Sequence, residues 1–157
     1  MATLHSEDEN WPSFVEIQPG TFRKADHVGK AAPTDGQDWQ NVELNLVSGK
    51  RQVRTLENED TILCRKPEDE VGNLVTALLA LANGERERLL FEPSEPSFEL
   101  SFERTRRGGI KVEAWLDAGN GLTAIYTWDA CGVRFFTTDE KLREFASQLN
   151  VEFQCSL

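Results

Sequence analysis

The sequence predicts an α+β protein: a mostly antiparallel β-sheet of meander type with two amphipathic helices packed on it. Three observations lead there. Phe98, Leu100 and Phe102 alternate with Glu99, Ser101 and Glu103, and Ile110, Val112, Ala114 and Leu116 alternate with Lys111, Glu113 and Asp117. Such alternation marks strands buried on one face and wet on the other. Val71, Leu74, Val75, Leu78, Leu79 and Ala82 recur instead at spacings of three and four, the apolar stripe of a helix. Finally, strand-like and helix-like segments come in the order strands, helix, strands, helix, which suits helices laid on an antiparallel sheet better than a parallel αβ alternation.

The elements follow in order. Residues 1–12 read as a loose acidic lead closed by Trp11-Pro12. Phe14 to Ile17 is a short strand that Pro19-Gly20 should break. Residues 23–38 are poor in apolar side chains and read as an exposed loop. Trp39 to Val47 is the next strand, turned at Ser48-Gly49-Lys50, with weaker β runs at Gln52–Leu56 and Thr61–Cys64 joined by Glu57-Asn58-Glu59-Asp60. Lys66 to Glu70, with a proline and three acids, suits a helix start, and Asn83-Gly84 suits its end. Gly108-Gly109 can close a tight hairpin between the two alternating runs. Leu122–Trp128 and Val133–Thr137 read as further strands separated by a turn at Asp129–Gly132. Thr137 and Glu140 have capping-box spacing ahead of a second helix, with Leu142, Phe145, Ala146 and Leu149 on its buried stripe.

With 157 residues, the chain is expected to fold as a single domain, 1–157. It has 27 Asp and Glu against 17 Lys and Arg, a formal net charge of -10. Such a surface repels nucleic acid and anionic lipid and attracts basic partners. Cys64, Cys131 and Cys155 are odd in number and widely spaced, and form neither a disulfide framework nor a zinc pair. The polar start lacks the apolar core of a signal peptide, and the run Leu74–Ala82 is far too short to span a bilayer. A reduced, cytoplasmic protein is the expectation.

No catalytic motif stands out. His5 and His27 both fall in the N-terminal part, away from the expected sheet. Asp35-Gly36-Gln37-Asp38 lacks the later ligands of a calcium loop. The Gly-rich turns precede strands rather than helices and so do not read as phosphate cradles. No cofactor or metal is expected. Trp115 falls opposite Val112 and Leu116, so it is an interface anchor if that face is open and core if it is covered; Phe136, beside Phe135, poses the same question.

A leucine-rich helix ending in Asn83-Gly84, the element Phe91-Glu92-Pro93 and the alternating Ser97-Phe98-Glu99-Leu100 resemble the small immunity proteins that accompany wall-associated and contact-dependent bacterial toxins. The resemblance covers residues 39–150. It implies a cytoplasmic, non-catalytic inhibitor that binds one cognate toxin domain, the C-terminal part of its toxin, and blocks its active site or the approach of substrate. Acidity fits independently, because nuclease toxins that hold phosphate are basic and would meet an acidic inhibitor with complementary potential. The candidate partner-binding residues are Glu57, Glu59 and Asp60 in one turn, and Glu99, Glu103, Glu113 and Trp115 on the wet face of the hairpin. Each of these acids also reads as an ordinary solvated turn or sheet face. The rival readings are a small acidic hydrolase using paired carboxylates, which needs a cleft, and an adaptor module without a toxin partner.

Overall fold

The computed structural model describes residues 1–23, 39–55, 63–65, 70–94, 97–117 and 130–155. They form an α+β fold of two antiparallel sheets and two helices. Sheet A contains β1 (Ala2–His5), β2 (Ser13–Arg23), β3 (Trp39–Ser48), β4 (Arg51–Arg54) and β5 (Leu63–Arg65). Its order is β1-β2-β3-β4, with β5 also pairing β3 beyond β4. Helix α1 (Val71–Ala82) follows, then sheet B, a meander of β6 (Arg88–Phe91), β7 (Phe98–Arg104), β8 (Ile110–Asp117) and β9 (Ala130–Thr137). Helix α2 (Asp139–Glu152) comes last.

Alternation decides which way each sheet faces. Leu4, Val15, Ile17, Leu44 and Leu46 bury one face of sheet A, and Leu100, Phe102, Val112, Ala114 and Phe135 bury one face of sheet B. These faces and the helix stripes share one apolar core. α1 and α2 pack on each other, α2 also lies on β1, and β9 meets β2 and β3. The α2 stripe is the expected Leu142, Phe145, Ala146 and Leu149. In α1, Leu81 joins the expected stripe as a fully buried residue, while Leu79 is only partly buried. Each large core side chain such as Phe102 or Phe145 contributes about 1.5–3 kcal/mol of transfer free energy, offset largely by chain entropy.

One glycine and two arginines finish the first helix. α1 ends in a Schellman arrangement: Glu85 N–H donates to Ala80 O, Gly84 N–H donates to Leu81 O, and Gly84 takes φ +76°. The last turn of α1 has no basic residue of its own. Arg104 of β7 donates to Leu81 O at 2.5 Å and Arg143 of α2 donates to Ala82 O at 2.6 Å. Both place positive charge at the negative end of the helix. Arg104 also pairs with Asp139 at 2.7 Å, in the first turn of α2. The guanidinium thus joins the end of one helix to the start of the other. The Asp139 hydrogen bond is the main reason that its pKa is raised further.

The structure revises the sequence-based expectations at several points. Residues 2–5, expected within a loose lead, form β1, paired with β2 and tied to α2 by a hydrogen bond from Thr3 N–H to Gln148 Oε1 at 2.7 Å. His5, expected in a loop, is therefore on a strand, its ring 5.6 Å from that of Phe14. β2 runs through Pro19-Gly20 to Arg23, because the register with β3 shifts between Pro19 and Phe22 and absorbs the break. The cap of α2 is Thr138, whose hydroxyl accepts from Lys141 N–H at 3.3 Å. Thr137 instead ends β9, fully buried, with its hydroxyl donating to His5 O. Ala130–Gly132, expected as a turn, is the start of β9 and pairs directly with β8. The expected strand Leu122–Trp128 and the expected helix start at Lys66–Asp69 lie outside the described residues, as does most of the expected loop 23–38.

Candidate functional site

The β7–β8 hairpin sets the register of sheet B. Gly108 N–H donates to Thr105 O, Thr105 N–H donates to Gly109 O, and Gly108 has φ +93°. This is a three-residue connection with its left-handed position at glycine. It places Glu103 opposite Lys111, Ser101 opposite Glu113 and Glu99 opposite Trp115. With β6 and β9 added, the outer face has three rows. The lowest is Arg88, Glu103, Lys111 and Phe136; the middle is Leu90, Ser101, Glu113 and Arg134; the upper is Glu99, Trp115 and Gly132.

The lower two rows hold an ion-pair ladder. Arg88 lies 2.8 Å from Glu103, and Lys111 lies 2.9 Å from Glu103 and 3.6 Å from Glu113. Arg134 closes the ladder on Glu113 at 2.5 Å. The hydrogen bond from Lys111, followed by the charges of Arg88 and Lys111, holds the Glu103 carboxyl below its ordinary value. The same bond raises Lys111. Two of the expected partner-binding acids, Glu103 and Glu113, are thus already matched within the fold.

The upper row differs. Glu99 is half-buried and has no ion-pair or hydrogen-bond partner among the described residues. Trp115 is half-buried, and its indole lies across Gly132 of β9. A Cβ at Gly132 would stand 2.7 Å from Trp115 Cδ2 and still closer to Ala114 O. Glycine at this position lets the ring lie down on the neighbouring strand. The face is therefore neither fully open nor covered at Trp115, while Phe136 is 47% exposed. Glu57, Glu59 and Asp60 lie outside the described residues.

The outer face of sheet A carries a shallow polar hollow lined by Glu16, Gln18, Glu43, Asn45 and Arg54. Its carboxylates are met by amides: Gln18 donates to Glu43, and Asn45 donates to Glu16. Among the described residues, no group of three or more His, Cys, Asp or Glu could hold a metal ion, and no helix is long and apolar enough to cross a membrane. Sequence reasoning named the outward acids of β7 and β8 but missed the bases opposite them. Lys111 was legible from the hairpin; Arg88 and Arg134 needed the pairing of the flanking strands β6 and β9.

Among the described residues, the features that could meet a ligand are surface features of the two sheets, the kind through which one protein engages another. Residues 4–154 match the WapI-like immunity protein family, and the chain belongs to it. It is a bacterial immunity protein, which neutralises a toxin. No curated protein and no solved structure matches the chain significantly.

Proposed function

We propose that the toxin neutralised by this chain is a basic nuclease of the wall-associated or contact-dependent kind, bound in the cytoplasm by its C-terminal toxin domain. The chain acts by binding alone and covers the surface on which the toxin holds nucleic acid. The observation that carries this reading is the charge: 27 acids against 17 bases in a chain of the immunity family. A nuclease must present Lys and Arg to phosphate, and an acidic inhibitor meets that surface with steered, fast association. Of the residues expected to make contact, Glu99 and Trp115 remain the strongest described candidates, and Glu57, Glu59 and Asp60 stand as proposals from the sequence. Glu103 and Glu113 are weaker candidates because the ladder already occupies them.

The test is co-expression of this chain with the toxin domain encoded beside it, followed by growth rescue, co-purification and nuclease assay. Rescue, a stable complex and loss of nucleic-acid cleavage at equimolar inhibitor are expected. A toxin domain that is acidic, or that kills without cleaving nucleic acid, would overturn the nuclease reading.

A further inference from the structure

We propose that the toxin docks on the upper part of sheet B's outer face, centred on Trp115, with Glu99 and Glu92 receiving an arginine or lysine side chain from its nucleic-acid-binding surface. This rests on the nuclease reading above and adds the site and the chemistry of the contact. The outer face has a gradient of charge. The lowest row carries Arg88 and Lys111 against Glu103, and the middle row carries Arg134 against Glu113. The upper row has no base. Glu92 stands one position beyond β6, where the β6–β7 register runs on to Glu99, and it is exposed. Neither acid has a partner among the described residues. Two carboxylates are thus left unmatched beside an indole, at one edge of a ladder in which Glu103 and Glu113 are both paired.

The apolar part of the surface fits the same occupant. Leu90, in the adjoining row, is 59% exposed. The Trp115 ring already packs against Gly132, which reduces the ordering that a partner must impose. An arginine can stack its planar guanidinium on an indole while donating to carboxylates beside it; a lysine can lay its stem on the ring and reach the same acids. An acidic or purely apolar partner would leave Glu92 and Glu99 desolvated and unpaired, which binding disfavours. Charge complementarity therefore points to the basic face of the toxin.

The experiment compares purified complexes of the unaltered chain, the double variant Glu92→Lys/Glu99→Lys, Trp115→Phe, and Arg106→Glu/Arg107→Glu at the distant hairpin tip. Binding to the toxin domain encoded beside this gene is measured by titration and stopped-flow kinetics at several salt concentrations. The charge reversals are expected to weaken binding about a hundredfold and slow association, with a flatter salt dependence. Trp115→Phe keeps a ring on Gly132 and is expected to lose about tenfold. The hairpin-tip variant is expected to bind as the unaltered chain does. Unchanged binding by a charge-reversed chain that melts normally would overturn this site while leaving the nuclease reading intact. If the unaltered chain does not bind a basic nuclease domain, that reading fails and the site with it.

Discussion

The lower and upper rows of sheet B's outer face are made by the same strands with the same alternation, yet they differ electrostatically. In the lower rows Glu103 and Glu113 each meet bases across the strands. In the upper row Glu99 meets Trp115, and Trp115 meets glycine. Alternation therefore decides only that an acid points outward. Register decides whether it is matched within the fold or left unmatched. Exposed pairs of this kind contribute only about 0–1 kcal/mol each to stability. Their other effect is to cancel the negative potential of Glu103 and Glu113 over the lower rows.

The largest effect on this contrast is expected from Gly132→Val. Its side chain would collide with Ala114 O and the Trp115 ring, lifting the indole and destabilising the fold by about 2–3 kcal/mol. A urea unfolding curve reads the loss; a midpoint unchanged from the parent would show that the ring does not need the glycine. Next comes Arg104→Met, under the opposite, buried face. It removes the bonds to Leu81 O and Asp139, with an expected loss of about 2 kcal/mol for charge-assisted bonds in a partly buried setting. If thermal melting places this variant level with variants of the exposed ladder, the helix-to-helix clasp is not a stabilising feature.

The smallest effect is expected from Lys111→Met, and it is best seen in pH dependence. Folding lowers the Glu103 pKa below its ordinary 4.5. The stability this supplies is complete above the unfolded value and is lost as pH falls through the folded one. Folding raises Lys111 above its ordinary 10.5, so its share is complete below that value and is lost as pH rises through the folded one. Lys111→Met removes the first cause of the Glu103 shift and should flatten the acid limb of the stability curve below about pH 4.5. An acid limb as steep as the parent's would mean that Arg88 alone holds Glu103.

Much of this was legible in the chain. The stripe of α2, the β7–β8 hairpin at Gly108 and the inward residues of both its strands follow from spacing alone. The acids at Glu99, Glu103 and Glu113 were likewise identified as outward. What could not be read was the identity of their neighbours on β6 and β9. Arg88 and Arg134 lie 15 and 21 residues from the acids they meet, and nothing in local periodicity links them. β1 was missed for a related reason: Ala2 and Leu4 make too short an alternation to stand out until β2 and α2 provide the surfaces that bury them.

The sequence by itself determined the class of the fold, the apolar faces and the surplus of acid, because burial repeats with period two in strands and close to four in helices, and because charge is additive over composition. The tertiary structure alone decided which acids are matched. Electrostatic pairing depends on distances of a few ångströms between side chains, and those distances are set by the register in which neighbouring strands pair.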